Sequence, residues 1–133
     1  MKFFTIKELC RSKTAKEYGI DNTPTPQAVE SMTRLIEVVL DPLREAYGKP
    51  IKVNSGFRSK ELNDVLPGAS KTSQHMRGEA ADITVYTKEG NKWLFDYIKN
   101  NLPFDQLINE YDYSWVHVSY TTERTNRQKI TKT

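Results

Sequence analysis

One segment fixes the interpretation of this chain: residues 73–85 read Ser73-Gln74-His75-Met76-Arg77-Gly78-Glu79-Ala80-Ala81-Asp82-Ile83-Thr84-Val85. A polar loop ends at Gly78, and the small and β-branched residues that follow predict a strand from Gly78 to Val85. Because side chains alternate along a strand, Asp82 shares a face with Ala80 and Thr84, while Ala81, Ile83 and Val85 face the core. An unpaired carboxylate on a half-buried strand is costly. Asp82 is therefore a candidate functional residue.

Helices are predicted ahead of this segment. Residues 5–18 predict two short helices, for which Thr5 and Ser12 are suitable N-caps. Residues 25–47 predict the longest helix, because apolar side chains recur there at steps of three and four. Pro42 lies inside that pattern, so we expect it to bend or split the helix.

The remaining segments predict a small sheet and two further helices. They comprise strands at 51–55, 105–110 and 115–120, a short helix at 59–66 and a helix at 91–100. The short connection 111–114 predicts that the last two strands form a hairpin. The expected fold class is α+β, with N-terminal helices packed on a small, mostly antiparallel sheet. We expect one domain over residues 1–133, with residues 121–133 a partly disordered tail because Ile130 is their one aliphatic side chain.

Composition excludes several classes of protein. The chain has 133 residues, with 20 Lys and Arg against 17 Asp and Glu and a net charge of +3, which is too small and dispersed to indicate a nucleic-acid partner. No stretch approaches the ~18 to 20 consecutive apolar residues of a membrane span. The lone Cys10 excludes an internal disulfide and a cysteine-based zinc site. Charge interrupts the N-terminus too early for a secretion signal, so we expect synthesis in the cytoplasm.

The chain has only two histidines, His75 in the polar loop and His117 in the strand 115–120. If that strand neighbours the one containing Asp82, then Asp82 and His117 project from the same face, and His75 can fold over it. Two imidazoles and one carboxylate suit Zn²⁺ and leave a fourth position for water, as in catalytic zinc sites. A lone strand histidine is more often a hydrogen-bonded structural residue, and an aspartate can cap a loop. Spacing alone leaves the metal site and these structural roles open.

Three motifs resemble the zinc D-Ala-D-Ala carboxypeptidase family, peptidase family M15. They are Ser55-Gly56-Phe57-Arg58-Ser59, then residues 73–83 quoted above, then Trp115-Val116-His117-Val118-Ser119-Tyr120. Shorter matches at 8–9, 19–24, 40–44 and 126–127 are similar to its short, phage-endolysin-like branch. The resemblance covers most of the chain.

The resemblance implies one Zn²⁺ ion held by His75, Asp82 and His117. It also implies that Arg58 stabilises the carbonyl oxygen of the scissile bond or holds a substrate carboxylate, roles that suit a planar, permanently charged guanidinium. Ser73 matches a position that hydrogen-bonds substrate in relatives, although a loop-capping serine is an alternative. Gln74 is expected to bind substrate, orient the loop or support a ligand.

Two carboxylates are candidates for the general base. Several relatives carry Asp or Glu three residues before the last histidine, where this chain has Ser114, which cannot take a proton at neutral pH. Glu110 at the end of the preceding strand and Asp112 in the hairpin connection are the nearby carboxylates. The short branch favours Glu110, and a turn-forming role is the alternative for Asp112.

The implied function is zinc-dependent hydrolysis of a peptide bond in the stem peptide or cross-link of bacterial peptidoglycan. The bond could be D-Ala-D-Ala, as in carboxypeptidases, or an internal link, as in endolysins that reach the wall after holin release. We expect a monomer. The alternative is a catalytically inactive cell-wall-binding or virion module on the same scaffold, which the serine at position 114 keeps open.

Overall fold

The computed structural model describes residues 1–133. It contains six α-helices: α1 (Ile6–Leu9), α2 (Lys13–Tyr18), α3 (Pro26–Leu35), α4 (Asp41–Tyr47), α5 (Lys60–Val65) and α6 (Lys88–Asn101). A π-helical segment, Ile36–Leu40, joins α3 to α4, and a 3₁₀ helix spans Gln74–Arg77. None of the helices combines the length and the apolar character that crossing a bilayer requires.

The strands form one five-stranded sheet. They are β1 (Lys52–Ser55), β2 (Ala80–Thr84), β3 (Gln106–Glu110), β4 (Trp115–Ser119) and β5 (Lys129–Lys132). Their spatial order is β1-β2-β4-β3-β5, and every neighbouring pair is antiparallel except β3 and β5. The α+β class predicted from the sequence is confirmed.

Side-chain caps explain where the helices begin. The hydroxyls of Thr5, Ser12 and Thr25 each accept a hydrogen bond from the backbone N–H three residues later, which satisfies a donor that a helix leaves unpaired at its first turn. Thr87 caps α6 in the same way, through the N–H of Gly90. That cap starts α6 three residues earlier than the predicted Asn91, because Gly90 weakens the helical signal in the sequence.

The helical pattern of residues 26–47 changes its winding where Pro42 approaches. Across the π-helical segment, the N–H of Asp41 donates to the carbonyl of Ile36, five residues back. A proline within an α-helix lacks a donor, and its ring collides with the carbonyl four residues earlier. The wider π turn makes room for this ring, so the expected disturbance by Pro42 takes the form of a local change in helix type.

One hydrophobic core lies between the helices and one face of the sheet. Its fully buried side chains include Leu35, Leu40, Ile83, Leu107 and Val116. Ala81 and Ile83 belong to this core, as the strand alternation predicted. The other face of the sheet carries Asp82 and His117, and the polar loops fold over it.

The C-terminal segment differs from the prediction of a partly disordered tail over 121–133. Lys129–Lys132 form β5, which runs parallel to β3 with Leu107 paired to Ile130. All four side chains of β5 are exposed, so apolar patterning could not reveal the strand. It is held by backbone hydrogen bonds and by Arg124 and Arg127, which bind the buried Asp105 at the start of β3.

Candidate metal centre and cleft

The candidate site starts from the pairing of β2 with β4. In this register Asp82 lies directly opposite His117, so both side chains project from the same face. His117 Nδ1 is 2.9 Å from Asp82 Oδ1. Both residues are largely buried, with side-chain exposures of 11% for His117 and 12% for Asp82. The arrangement predicted for these two residues is present.

His75 reaches the pair from the 3₁₀ helix. Its Nε2 lies 3.4 Å from Asp82 Oδ2. Its Nδ1 lies 2.7 Å from the carbonyl oxygen of Gly56. Because a carbonyl can only accept, Nδ1 must carry a proton, and Nε2 is the ring nitrogen that faces Asp82. A backbone acceptor that fixes the tautomer in this way is typical of metal-binding histidines.

The three side chains form a group that could hold one metal ion. One ligand atom from each of His75, Asp82 and His117 lies within 4.8 Å of the other two. Two imidazole nitrogens and one carboxylate oxygen are a donor set that zinc accepts, and three protein ligands leave a position open. Burial acts to raise the pKa of Asp82, but the adjacent His75 and the hydrogen bond with His117 outweigh it and hold that pKa well below its usual range. The Asp82 carboxylate is therefore ionised at neutral pH.

Arg58 lies at the edge of this group. Its Nη2 is 3.5 Å from Asp82 Oδ2, and its Nε donates to Ser55 Oγ at 3.0 Å. The side chain is 15% exposed. Burial lowers the pKa of Arg58 and the Asp82 carboxylate opposes that shift, so the guanidinium remains charged beside the candidate metal position.

Ser73 and Gln74 act on the loop that carries His75. Ser73 Oγ accepts from the backbone N–H of His75 at 3.1 Å and caps the 3₁₀ helix, which is the loop-capping alternative stated above. Gln74 is buried and donates from Nε2 to Glu79 Oε1 at 3.3 Å, while its Oε1 has no partner. Both residues also line the cleft described next.

The candidate metal group opens into a cleft of about 850 Å³. The walls combine the predicted site residues with the loop that follows α5 and with side chains from β3, β4 and the C-terminal segment. The polar and charged side chains that line it are Arg58, Ser70, Thr72, Ser73, Gln74, His75, Arg77, Asp82, Gln106, Glu110, His117, Arg124 and Arg127. A cleft this open and this polar suits an extended, hydrogen-bonding ligand.

The two candidate bases occupy different places. Glu110 lines the cleft and lies opposite Trp115 in the register, which makes it the diagonal neighbour of His117 on the same face. Its Oε1 accepts a hydrogen bond from the Thr133 hydroxyl at 2.7 Å. Asp112 lines a separate groove and pairs with Lys88 Nζ at 2.7 Å.

The hairpin connection explains this separation. Tyr111, Asp112 and Tyr113 all have positive φ, at 48°, 54° and 62°. Three consecutive left-handed residues turn the chain sharply, so the Asp112 side chain leaves the face to which Glu110 belongs. Ser114 donates its hydroxyl to the carbonyl of Tyr111 and closes the turn.

The sequence interpretation missed two residues that line the cleft, and also the buried carboxylate that anchors them. Arg124 and Arg127 lie in the segment expected to be partly disordered, and both bind Asp105. Hydrogen bonds from Arg124 lower the pKa of Asp105, whereas burial acts to raise it. Together with the hydrogen bonds from Arg127, those from Arg124 outweigh burial and hold this pKa well below its usual range. The sequence did offer a signal for this cluster. It has a carboxylate at the start of an apolar strand and two arginines three residues apart near the end of the chain.

Comparison with known proteins defines the class. A family profile described as Peptidase M15 matches residues 2–119. The chain therefore belongs to the peptidase M15 family, as the resemblance of its motifs implied. Among curated proteins, the zinc D-Ala-D-Ala carboxypeptidase of Streptomyces albus G is 41% identical over 81 residues. That match covers 60% of this chain but 30% of the relative, so the chain spans less than a third of the length of this carboxypeptidase.

Proposed function

We propose that this protein is a zinc-dependent peptidase that hydrolyses a peptide bond in the stem peptide or cross-link of bacterial peptidoglycan. The observation that carries the proposal is the convergence of His75, Asp82 and His117 at the base of an open, polar cleft. Membership of the peptidase M15 family and the zinc D-Ala-D-Ala carboxypeptidase named among its relatives support it. We assign these three residues as the ligands of one zinc ion.

Bound zinc would polarise the carbonyl of the scissile bond and make a water molecule acidic enough to attack it at neutral pH. Glu110 is assigned as the general base: its carboxylate accepts the proton of the attacking water and later donates it to the nitrogen of the leaving amine. The position of Glu110 in the cleft supports this choice over Asp112, whose carboxylate is paired with Lys88 beside another groove.

Arg58 is assigned to the oxygen of the scissile carbonyl. Negative charge develops there as the carbonyl carbon becomes tetrahedral, and a fixed guanidinium in a partly desolvated site stabilises it. The hydrogen bonds of Arg58 to Ser55 and Asn63 hold the guanidinium in one orientation. Ser73 and Gln74 are assigned to substrate, with the further task of holding the His75 loop.

A more specific part of the proposal concerns the type of enzyme and how it reaches the cell wall. Similarity to the short branch in residues 8–9, 19–24, 40–44 and 126–127 supports an endolysin-type endopeptidase of phage origin, monomeric and released to the cell wall through a holin. The catalytically inactive module on the same scaffold is the second candidate, and Ser114 at the position of the acid in several relatives is the observation that favours it.

Zymography on peptidoglycan tests the hydrolase directly. We expect a zone of clearing that chelator abolishes and zinc restores, that Glu110→Gln reduces by at least ~100-fold, and that Asp112→Asn leaves in place. Glu89→Gln, which removes a charge from an exposed glutamate on α6, is the matched control. We also expect the purified wild type to contain about one equivalent of zinc, and His75→Ala and His117→Ala to lose it. A zinc-loaded wild type that clears nothing would instead identify the inactive module.

A further inference from the structure

We propose that Arg124 and Arg127 form a carboxylate-binding subsite, and that the substrate peptide carries an anionic group two or three residues from the bond that is cut. This inference rests on the proposed function, since it names a feature of the substrate of the same cleft. It concerns the part of the cleft where the C-terminal segment closes against the start of β3.

The charges at this end of the cleft do not balance. Arg124 binds Asp105 through both terminal nitrogens, at 2.6 and 3.0 Å, and Arg127 binds the same carboxylate through Nε and Nη2, at 3.2 and 2.8 Å. Asp105 is fully buried and carries one negative charge, which one bidentate guanidinium neutralises. The neighbouring Arg77 is already paired with Glu79 at 2.9 Å. The second guanidinium on Asp105 is therefore a surplus positive charge.

Unused donors accompany this surplus charge. The hydrogen bonds of Arg127 occupy Nε and Nη2, which leaves both N–H groups of Nη1 without a protein acceptor. Arg124 likewise has its Nε free. Although each guanidinium is anchored on Asp105, the two side chains are 44% and 47% exposed and line the cleft. Anchored, partly exposed guanidinium groups with free donors suit a planar anion such as a carboxylate.

The register of the sheet sets the distance to the reacting bond. Ile108 lies opposite His117, and Asp105 precedes Ile108 by three residues along β3. At about 3.3 Å per residue, Asp105, on which both arginines are anchored, therefore lies roughly 10 Å along the strand direction from the position opposite His117. An extended peptide covers that distance in about three residues. A carboxylate two or three residues from the scissile bond reaches Arg124 and Arg127, whereas one beside the bond faces Arg58.

Binding of two matched peptides tests this inference without requiring turnover. The peptides are extended stem-type peptides that differ only in one acidic residue, two or three positions from the expected cleavage site, which carries a carboxylate in one and a carboxamide in the other. Titration calorimetry uses zinc-loaded Glu110→Gln protein, so that neither peptide is consumed. We expect the carboxylate peptide to bind about tenfold more tightly, the value of one charge-assisted hydrogen bond.

Variants of Arg124 separate recognition from folding. Arg124→Gln leaves the pairing of Arg127 with Asp105 in place, so the fold should survive, and the preference should fall to about threefold or less. Arg124→Lys retains the charge and should restore part of the preference. Arg11→Gln removes an exposed arginine that does not line this cleft and should leave the preference unchanged.

Each outcome bears on the inference. Equal affinities for the two peptides, no measurable binding of either, or a preference that survives Arg124→Gln would overturn it. A clear preference in a protein whose wild type cleaves neither peptide nor peptidoglycan would leave the carboxylate-binding subsite standing while the hydrolase proposal fails. If the wild type cleaves both peptides with equal kcat/KM and binds them with equal affinity, the hydrolase proposal is supported and the carboxylate-binding subsite is refuted.

Discussion

Substitution of Gly56 by alanine should weaken both the fold and the metal centre. Gly56 is the residue at which helix α1, strand β1 and His75 meet. A Cβ added to Gly56 would overlap the carbonyl oxygen of Leu9 and would lie 2.9 Å from its carbonyl carbon and 3.0 Å from its Cα. These are backbone atoms, so no side-chain rotation relieves the overlap. Either the end of α1 or the Gly56 backbone must move.

Two short hydrogen bonds oppose that movement. Phe57 N–H donates to the Leu9 carbonyl at 2.7 Å, and the Gly56 carbonyl lies 2.7 Å from His75 Nδ1. Overpacking in a closed site costs about 1–3 kcal/mol, and losing each bond costs about 1 kcal/mol. Alanine also restricts the unfolded chain, which stabilises the folded protein by about 0.5 kcal/mol relative to glycine. We therefore expect Gly56→Ala to lower the free energy of unfolding by about 3 kcal/mol.

The effect on metal binding distinguishes this site from an ordinary tight contact. Displacing the acceptor of His75 Nδ1 should weaken zinc binding by about 10–100-fold, the usual cost of disturbing a group that orients a ligand. Urea unfolding and competition with a zinc-binding dye measure the two effects separately. Gly19→Ala is the control, because Gly19 has φ of 65° but open space around it, so alanine there should reduce stability without changing zinc affinity. Unaltered zinc affinity in Gly56→Ala, with a stability loss below ~1 kcal/mol, would refute the argument.

Three further predictions concern acid, metal and core. The pKa of Asp105 lies below its usual range in the folded protein and near ~3.9 in the unfolded chain. Its carboxylate therefore stabilises the fold above about pH 4, and this stabilisation should fall as the pH drops further. In urea unfolding measured at several pH values, Asp105→Asn should flatten that decline. Zinc at about 100 times its dissociation constant should raise the unfolding free energy by ~2.7 kcal/mol in thermal denaturation, and neither chelated protein nor His75→Ala should show the gain. Leu107→Ala, in the core, should cost about 2–5 kcal/mol, whereas Ile130→Ala, opposite it on exposed β5, should change stability by less than ~0.5 kcal/mol; comparable losses would contradict the peripheral position of β5.

Most of the fold could be predicted because local sequence patterns determine its helices and strands. Alternation along β2 and β4 placed Asp82 and His117 on the face opposite the core, because strand geometry allows only two directions for a side chain. Hydroxyl caps and the Thr25-Pro26 start marked the helices for equally local reasons. The site was predictable to that extent because two of its three candidate ligands, Asp82 and His117, belong to regular strands.

The parts that the sequence did not reveal depend on long-range contacts or on turn geometry. Strand β5 has no apolar pattern, and its place beside β3 depends on two arginines that meet Asp105 across about twenty residues of chain. The placement of Glu110 in the cleft and of Asp112 beside a separate groove depends on three successive left-handed residues, among them two tyrosines, a backbone conformation that few sequences signal. The orientation of His75 depends on a carbonyl 19 residues away.

The pairing of β2 with β4 has a consequence for the order of folding. Asp82 and His117 are 35 residues apart in the chain, whereas the hairpin of β3 and β4 closes over a four-residue connection. Local contacts form early and distant ones late, because closing a longer loop costs more entropy. Capacity to bind zinc should therefore return in the slowest phase of refolding, after the hairpin has formed.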